Sequence, residues 1–188
     1  MIDPRALASA ELRAGERLLW VGQSDPNRML TGRDAFLIPF SVLWLGFVVF
    51  WMVGATTGGA PGIFPIVGSV FLLIGLYMLA GRFIVKRHRK RTEVYAVTDR
   101  RAFVTTGKNT RETDVHRTDR TVNRSGGHVS VEWDDRGSLG SLFRRSNFAA
   151  AQYANSGLDG IASPRLFAFY DVADGQPLIQ ALDDAARR

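Results

Sequence analysis

The sequence predicts a membrane α-helical hairpin combined with a small α+β domain, in which two transmembrane helices precede an antiparallel sheet and a C-terminal helix. Three observations lead to this fold class. Residues 35–81 contain no Asp, Glu, Lys or Arg, although charged residues make up 22% of the 188-residue chain. A cluster of glycine, threonine and proline divides that stretch, and short β-rich runs follow it. Such a long uncharged stretch is typical of membrane-spanning segments.

The uncharged stretch is too long for one membrane crossing. A single helix over residues 35–81 would measure about 70 Å, more than twice the roughly 30 Å of a bilayer's hydrocarbon core. The helix breakers of residues 56–62, Thr-Thr-Gly-Gly-Ala-Pro-Gly, therefore predict a turn between spans at about 36–55 and 63–80. Buried helices of a soluble protein are disfavoured, because the remaining chain is too small to cover helices that are apolar on every face. A cleaved signal peptide is disfavoured by the late start and the length of the first run.

Basic residues flank the two spans on one side only. Arg28 and Arg33 precede the first span, six basic residues follow the second within residues 82–91, and the connecting loop has none. The positive-inside rule therefore predicts that both termini are cytoplasmic. We divide the chain into a leader (1–35), the hairpin (36–81), a basic juxtamembrane segment (82–91) and a cytoplasmic domain (92–188).

The cytoplasmic domain is predicted to be mainly β-structure. Residues 93–98 and 101–106 are rich in strand-forming residues and are separated by two turn residues, which predicts a β-hairpin. Residues 128–133 alternate in the same way, residues 165–172 form another candidate strand, and weaker strands are expected between 113 and 122.

Three further segments complete the domain. Pro177 opens a segment in which Leu178, Ile179 and Leu182 share one helical face, which predicts an amphipathic C-terminal helix. Residues 137–164 are rich in Gly, Ser, Ala and Asn and predict a long loop. In the leader, residues 18–21 are expected to add an edge strand to the domain, with a position along the membrane interface as the alternative.

The order of these features resembles a known family. The leader Leu12-Arg13-Ala14-Gly15-Glu16-Arg17-Leu18-Leu19-Trp20, two spans, the segment Tyr95-Ala96-Val97-Thr98-Asp99-Arg100-Arg101 and a terminal helix are similar to the bacterial pleckstrin-homology (PH)-like membrane proteins of the two-span type. The resemblance implies a strongly bent antiparallel sheet, nearly a barrel, that the C-terminal helix caps at one open end. It also implies a bacterial cytoplasmic membrane location and no established enzyme activity.

Basic residues beside the membrane form the candidate site. Residues 82–131 contain thirteen basic and five acidic side chains, whereas the rest of the chain is balanced or slightly acidic. Near an anionic membrane surface each basic residue contributes about 1 kcal/mol of attraction. Fixing the topology is a sufficient role for the juxtamembrane residues, and a structural role in a turn is favoured for the two at 100 and 101. The candidate contacts for anionic lipid are Arg82, Lys86, Arg87, Arg89, Lys90, Arg91, Arg100 and Arg101.

Several function classes are disfavoured. The chain has no cysteine, its three histidines are scattered, and it contains no catalytic, metal-binding or nucleic-acid-binding motif. The spans have no ionisable side chain for an ion or proton pathway, so a transporter subunit is the least favoured alternative. We therefore expect a non-enzymatic, membrane-anchored module without cofactor or metal that binds a protein partner or itself. An anionic-lipid headgroup sensor is the main alternative.

Overall fold

The structure is a computed structural model, and it describes residues 3–32, 34–117, 119–133, 154–159 and 165–187. It contains two long apolar helices, two antiparallel sheets and a C-terminal helix, which confirms the predicted combination of helices with an α+β domain. Most of the predicted loop 137–164 lies outside the described residues.

The two predicted spans are helical. Helix α2 is Asp34–Thr57, and helix α3, Ile63–Leu76, continues through a π-helical turn, Tyr77–Gly81, into helix α4, Arg82–Thr92. Both α2 and the continuous Ile63–Thr92 helix are long and apolar enough to cross a membrane. Only 17% and 11% of their most apolar windows are buried by the rest of the chain, unlike the core helices of a soluble protein.

Small residues of α3 allow the two helices to approach each other. A β-carbon on Gly68 would lie 2.6 Å from the Met52 side chain, and one on Gly75 would lie 3.0 Å from Leu45. The indole of Trp44 packs edge-on against the ring of Phe71 at 5.9 Å. Gly68 and Gly75 therefore allow close packing of the two helices within the hairpin.

Within the described residues, seven strands form the two sheets. The first sheet has the order β1-β2-β3-β4, and the second has the order β5-β6-β7. An isolated bridge between Ser24 and Val172 connects the end of β1 to β7. The strands are β1 Leu18–Gly22, β2 Val94–Thr98, β3 Arg101–Thr105, β4 Thr110–Asp114, β5 Arg120–Ser125, β6 His128–Trp133 and β7 Ala168–Ala173.

The leader is part of the sheet. Strand β1 pairs antiparallel with β2, so that Trp20 lies opposite Val97 and Gly22 lies opposite Tyr95. The predicted edge strand at residues 18–21 is thereby confirmed. Because β1 precedes the helical hairpin and β2 follows it, the hairpin is an insertion between two neighbouring strands of one sheet.

The main core lies between the two sheets and helix α5, Gln176–Ala186. Phe169 is fully buried there, stacks on Tyr95 at 4.8 Å and meets Trp133 edge-on at 5.2 Å. Leu178 and Leu182 of α5 are also buried in this core, as their spacing predicted.

A helix that the sequence did not predict covers the other face of the first sheet. Helix α1, Pro4–Ala10, begins at Asp3, whose side chain accepts a hydrogen bond from the Arg5 N–H at 2.9 Å. Ala8 of α1 packs against Phe103 and its neighbours on β2. Because α1 and the main core cover opposite faces, every residue of β2 is buried.

Candidate functional site

Helix α4 contains six of the eight candidate basic residues, and its helical repeat separates them by direction. Arg82, Lys86 and Lys90 recur every four residues, share one face and are 0%, 3% and 4% exposed. We call these three the inward row. Arg87 and Arg91 are exposed, and we call them the outward pair. The predicted basic segment is therefore two features, one inside the fold and one on its surface.

Arg82 joins the second long helix to the start of α2. Its guanidinium forms a buried ion pair with the carboxylate of Asp34, the first residue of α2. The same carboxylate accepts hydrogen bonds from the N–H and the hydroxyl of Thr31 at 2.6 and 2.9 Å. Arg82 also donates to the Met78 carbonyl at 2.7 Å and to the Ser156 carbonyl at 3.2 Å. Removing either charge would leave the other buried without an opposite charge to compensate it.

The two lysines of the inward row hold the loop that leads from β1 to α2. The Lys86 ammonium donates to the Met29 carbonyl at 2.7 Å. The Lys90 ammonium donates to the carbonyls of Asp25 and Arg28 at 3.1 and 2.6 Å. Both cations therefore act on backbone groups of the protein itself.

Asp171 of β7 completes the partners of Lys90. One carboxylate oxygen accepts from the Lys90 ammonium and from the Asn155 amide, each at 2.6 Å, and the other lies 3.3 Å from Arg28. Asp171 adopts a left-handed backbone with φ of 49°, and its N–H donates to the Ser130 hydroxyl at 3.0 Å. Three charged or polar side chains contact this carboxylate, and such contacts hold a strained backbone conformation in place. The domain is thereby joined to α4 through a buried ion pair.

The segment 154–159 packs directly against α4. Gly157 has φ of +83°, and a β-carbon there would lie 2.2 Å from the Arg82 carbonyl oxygen. Arg89 forms an ion pair with Asp159 at 2.7 Å. Glycine is required here both for the backbone conformation and for the close approach.

Arg101 was also predicted to be a candidate for lipid contact. Its side chain is 6% exposed and contacts other residues of the same chain. Its guanidinium donates to Glu16 at 2.8 Å and also contacts Glu112. Burial disfavours the Glu16 carboxylate, but hydrogen bonds led by that from Arg101 outweigh burial and lower the pKa of Glu16 to about 2. This arrangement agrees with the structural role expected for residue 101.

Arg100 and Arg101 lie at the end of the first sheet that is away from α4 and the helical hairpin. Strand β2 begins at Val94, directly after α4, and residue 98 is about 13 Å further along the strand. The β2–β3 register places Ala102 opposite Val97, so the connecting turn lies at that far end. The structure does not bring Arg100 and Arg101 together with the basic residues of α4.

The outward pair remains available to ligands. Within the described residues, the guanidinium groups of Arg87 and Arg91 form no hydrogen bond or ion pair, and the same holds for Arg100. The prediction of lipid contact stays a prediction for these three residues. The inward row and Arg101 are buried against other residues of the chain, and Arg89 is paired with Glu93 and Asp159.

The described part of the chain contains no group of three or more metal-ligating side chains close enough to hold a metal ion. A polar cavity of about 270 Å³ lies beside Asp171. Of its lining residues, His128 contacts Asp25 at 2.9 Å and Arg28 contacts Asp171 at 3.3 Å. The hydrogen bonds from the Asn27 N–H and from His128 lower the pKa of Asp25, so this carboxyl is ionised near neutral pH.

The acidic partners of the inward row and of Arg89 were missed at the level of sequence. One of them had a signal: Asp34 is the last charged residue before the uncharged stretch and Arg82 is the first after it. Once that stretch folds back as a hairpin, its two ends must meet. Asp159 and Asp171 had no comparable signal, since both are distant in sequence from α4.

Comparisons with protein-family models, with curated proteins and with solved structures found no significant match. The resemblance to the bacterial PH-like membrane proteins therefore rests on the sequence features given above.

Proposed function

We propose that this chain is a non-enzymatic, membrane-anchored interaction module, in which the helical hairpin holds a PH-like domain at the cytoplasmic face of a bacterial membrane. The observation that carries the proposal is the insertion of the hairpin between β1 and β2. Both ends of the hairpin return to one sheet, and buried ion pairs close its base. Such an anchor fixes the orientation of the domain as well as its location.

The surface of the hairpin supports a membrane crossing. Apolar side chains on its outside remain largely uncovered: Phe50 is 77% exposed, Leu43 is 73% and Leu73 is 66%. In water, an apolar surface of this extent is very unfavourable. Basic residues at one end only support cytoplasmic termini.

The arrangement of strands supports a PH-like fold. Four antiparallel strands form one sheet, three form the other, and the C-terminal helix packs against the core between them. The bridge between Ser24 and Val172 brings the two sheets together along one side, as expected for a strongly bent sheet.

The edges of the two sheets support binding of a protein partner or of a second copy. Strands β4 and β5 each pair on one side only within the described residues. In β5, the residues from 123 to 125 are exposed. Edge strands offer unpaired backbone groups that an extended segment of another chain can use.

Labelling of introduced cysteines tests the membrane crossing, because the natural chain has no cysteine to interfere. In intact cells, a membrane-impermeant maleimide should label Ala60→Cys in the helix connection and should not label Lys108→Cys in the β3–β4 turn. Extraction with alkaline carbonate should leave the full chain in the membrane fraction. Labelling of both positions, or release by carbonate, would contradict the proposal.

Photo-crosslinking in cells tests the interaction. A photoreactive residue at Asn123 on β5 should give a defined crosslinked product, whereas one at Gln180, on the exposed face of α5, should not. A product with twice the mass of the chain would identify a second copy, and any other defined mass would identify a different protein. If no exposed position of β4 or β5 gave a defined product, binding at the sheet edges would be contradicted.

An anionic-lipid sensor is the second candidate, and the outward pair is the observation that favours it. Exposed arginines beside a membrane bind anionic headgroups with an affinity that falls as salt concentration rises. Salt-sensitive preference of the full chain for anionic over neutral bilayers is the expected result, and equal preference would contradict this candidate.

A further inference from the structure

An open groove lies between α4 and the loop that precedes α2, and it combines apolar walls with a free cation. Its volume is about 340 Å³. Ile84, on one wall, is 72% exposed. No acidic residue of the described part of the chain lines the groove. The lining residues are Pro26, Asn27, Met29, Phe83, Ile84 and Arg87.

The groove is preformed, because the inward row holds its far wall. Lys86 donates to the Met29 carbonyl at 2.7 Å, and Lys90 donates to the Arg28 carbonyl at 2.6 Å. These hydrogen bonds fix the loop 26–29 against the helix that carries Arg87. A ligand would therefore bind without paying the cost of ordering the loop.

Two hydrogen-bond donors of the groove are unused. Within the described residues, neither the Arg87 guanidinium nor the Asn27 side-chain amide has a hydrogen-bond partner. The buried Lys86 ammonium adds a second positive charge directly behind the loop. The groove is therefore complementary to an anion that accepts several hydrogen bonds and is attached to an apolar group.

The position of the groove matches the headgroup layer of a bilayer. Ile84 lies about 6 Å along the helix axis beyond residue 80, where the predicted span ends, and Arg87 lies about 10 Å beyond it. The polar layer on each side of the hydrocarbon core is about 5–8 Å thick. The long arginine side chain can reach back into that layer while its stem covers apolar surface.

We propose that this groove is a binding site for one anionic phospholipid. The lipid phosphate accepts hydrogen bonds from Arg87 and Asn27, and the glycerol and upper acyl chains pack against Phe83 and Ile84. The inference rests on the proposed membrane insertion and deepens it, because it replaces a diffuse basic surface by one defined site. It assigns no lipid contact to Arg91, which is outside the groove although it belongs to the same outward pair.

The test compares Arg87→Gln with Arg91→Gln in the full chain. Each variant removes one exposed positive charge from α4, so general attraction to an anionic bilayer falls equally in both. The proteins are placed in phosphatidylcholine nanodiscs with increasing fractions of phosphatidylglycerol, and phosphatidylglycerol molecules retained after release are counted by native mass spectrometry. Thermal unfolding verifies that both variants are folded.

We expect Arg87→Gln to lower the affinity for the retained phosphatidylglycerol about tenfold and Arg91→Gln to change it less than twofold. Equal losses in both variants, or no loss in Arg87→Gln, would overturn the defined site. Displacement of the lipid by millimolar inorganic phosphate would show a free-phosphate site instead and would also overturn the assignment. A carbonate-extractable protein contradicts the proposed membrane anchoring, whereas a membrane-embedded protein without selective retention contradicts only the groove.

Discussion

The inward row and the outward pair of α4 come from one basic segment, residues 82–91, yet they perform different tasks. Lys90 is buried against Asp171, while Arg91, the next residue, is exposed and unpaired in the described part of the chain. Both residues carry one positive charge, and they differ in their position around the helix. Basic residues that follow a long apolar helix therefore need not all share one role: here one face anchors the domain and the other is available for ligands.

The largest expected effect separates these two neighbours directly. Lys90→Ala leaves the Asp171 carboxylate and two loop carbonyls without their buried donor, and we expect it to lower the free energy of unfolding by about 3–5 kcal/mol. Arg91→Ala removes a solvated side chain and should change stability little. Unfolding of the two variants in matched detergent micelles measures both. Similar losses would contradict the division of α4 into two faces.

The pair of Arg101 and Glu16 tests whether a buried ion pair at the far end of the sheet stabilises the fold as the pair of Lys90 and Asp171 does. Because the folded-state pKa of Glu16 is about 2, below its ordinary value of about 4.5, the stabilisation is complete above pH 4.5 and is lost as the pH falls towards 2. The stability difference between the natural chain and Glu16→Gln should lose more than half its size between pH 6 and pH 3. A difference that is independent of pH would contradict this contribution.

Gly157 tests the contact between α4 and segment 154–159. Gly157→Ala introduces a β-carbon into the Arg82 carbonyl at a left-handed position, whereas Gly127→Ala meets nothing within 4 Å at a similar φ of +76°. The control therefore reports backbone strain alone, about 1–2 kcal/mol. We expect Gly157→Ala to cost about 1–2 kcal/mol more than the control in the same unfolding measurement. Equal costs would show that the segment does not pack closely on the helix.

Local patterns explain most of the fold that the sequence predicted. The absence of charge and the helix breakers of residues 56–62 define the hairpin. Runs of strand-forming residues around two turn residues define β2 and β3, and alternation defines β6. Helix α1 was missed because seven residues give little periodic signal, although Asp3 and Pro4 form a recognisable helix start.

The candidate site was less predictable, because its arrangement depends on distant contacts. The sequence treated residues 82–91 as a basic segment, whereas they continue the second long helix, as arginine and lysine readily do. Helical periodicity then separates the inward row from the outward pair. Asp171 becomes a partner only when β7 and α4 meet, and no local pattern announces such a pairing.

A double-mutant cycle between Asp34 and Arg82 tests the central claim that the inward cations stabilise the base of the hairpin. Each of Asp34→Asn and Arg82→Met should lower the free energy of unfolding in micelles by about 3–5 kcal/mol, because each leaves one buried partner uncompensated. The double variant should lose at least 2 kcal/mol less than the sum of the single losses. Losses that add exactly would show that the two side chains do not interact and would contradict the account.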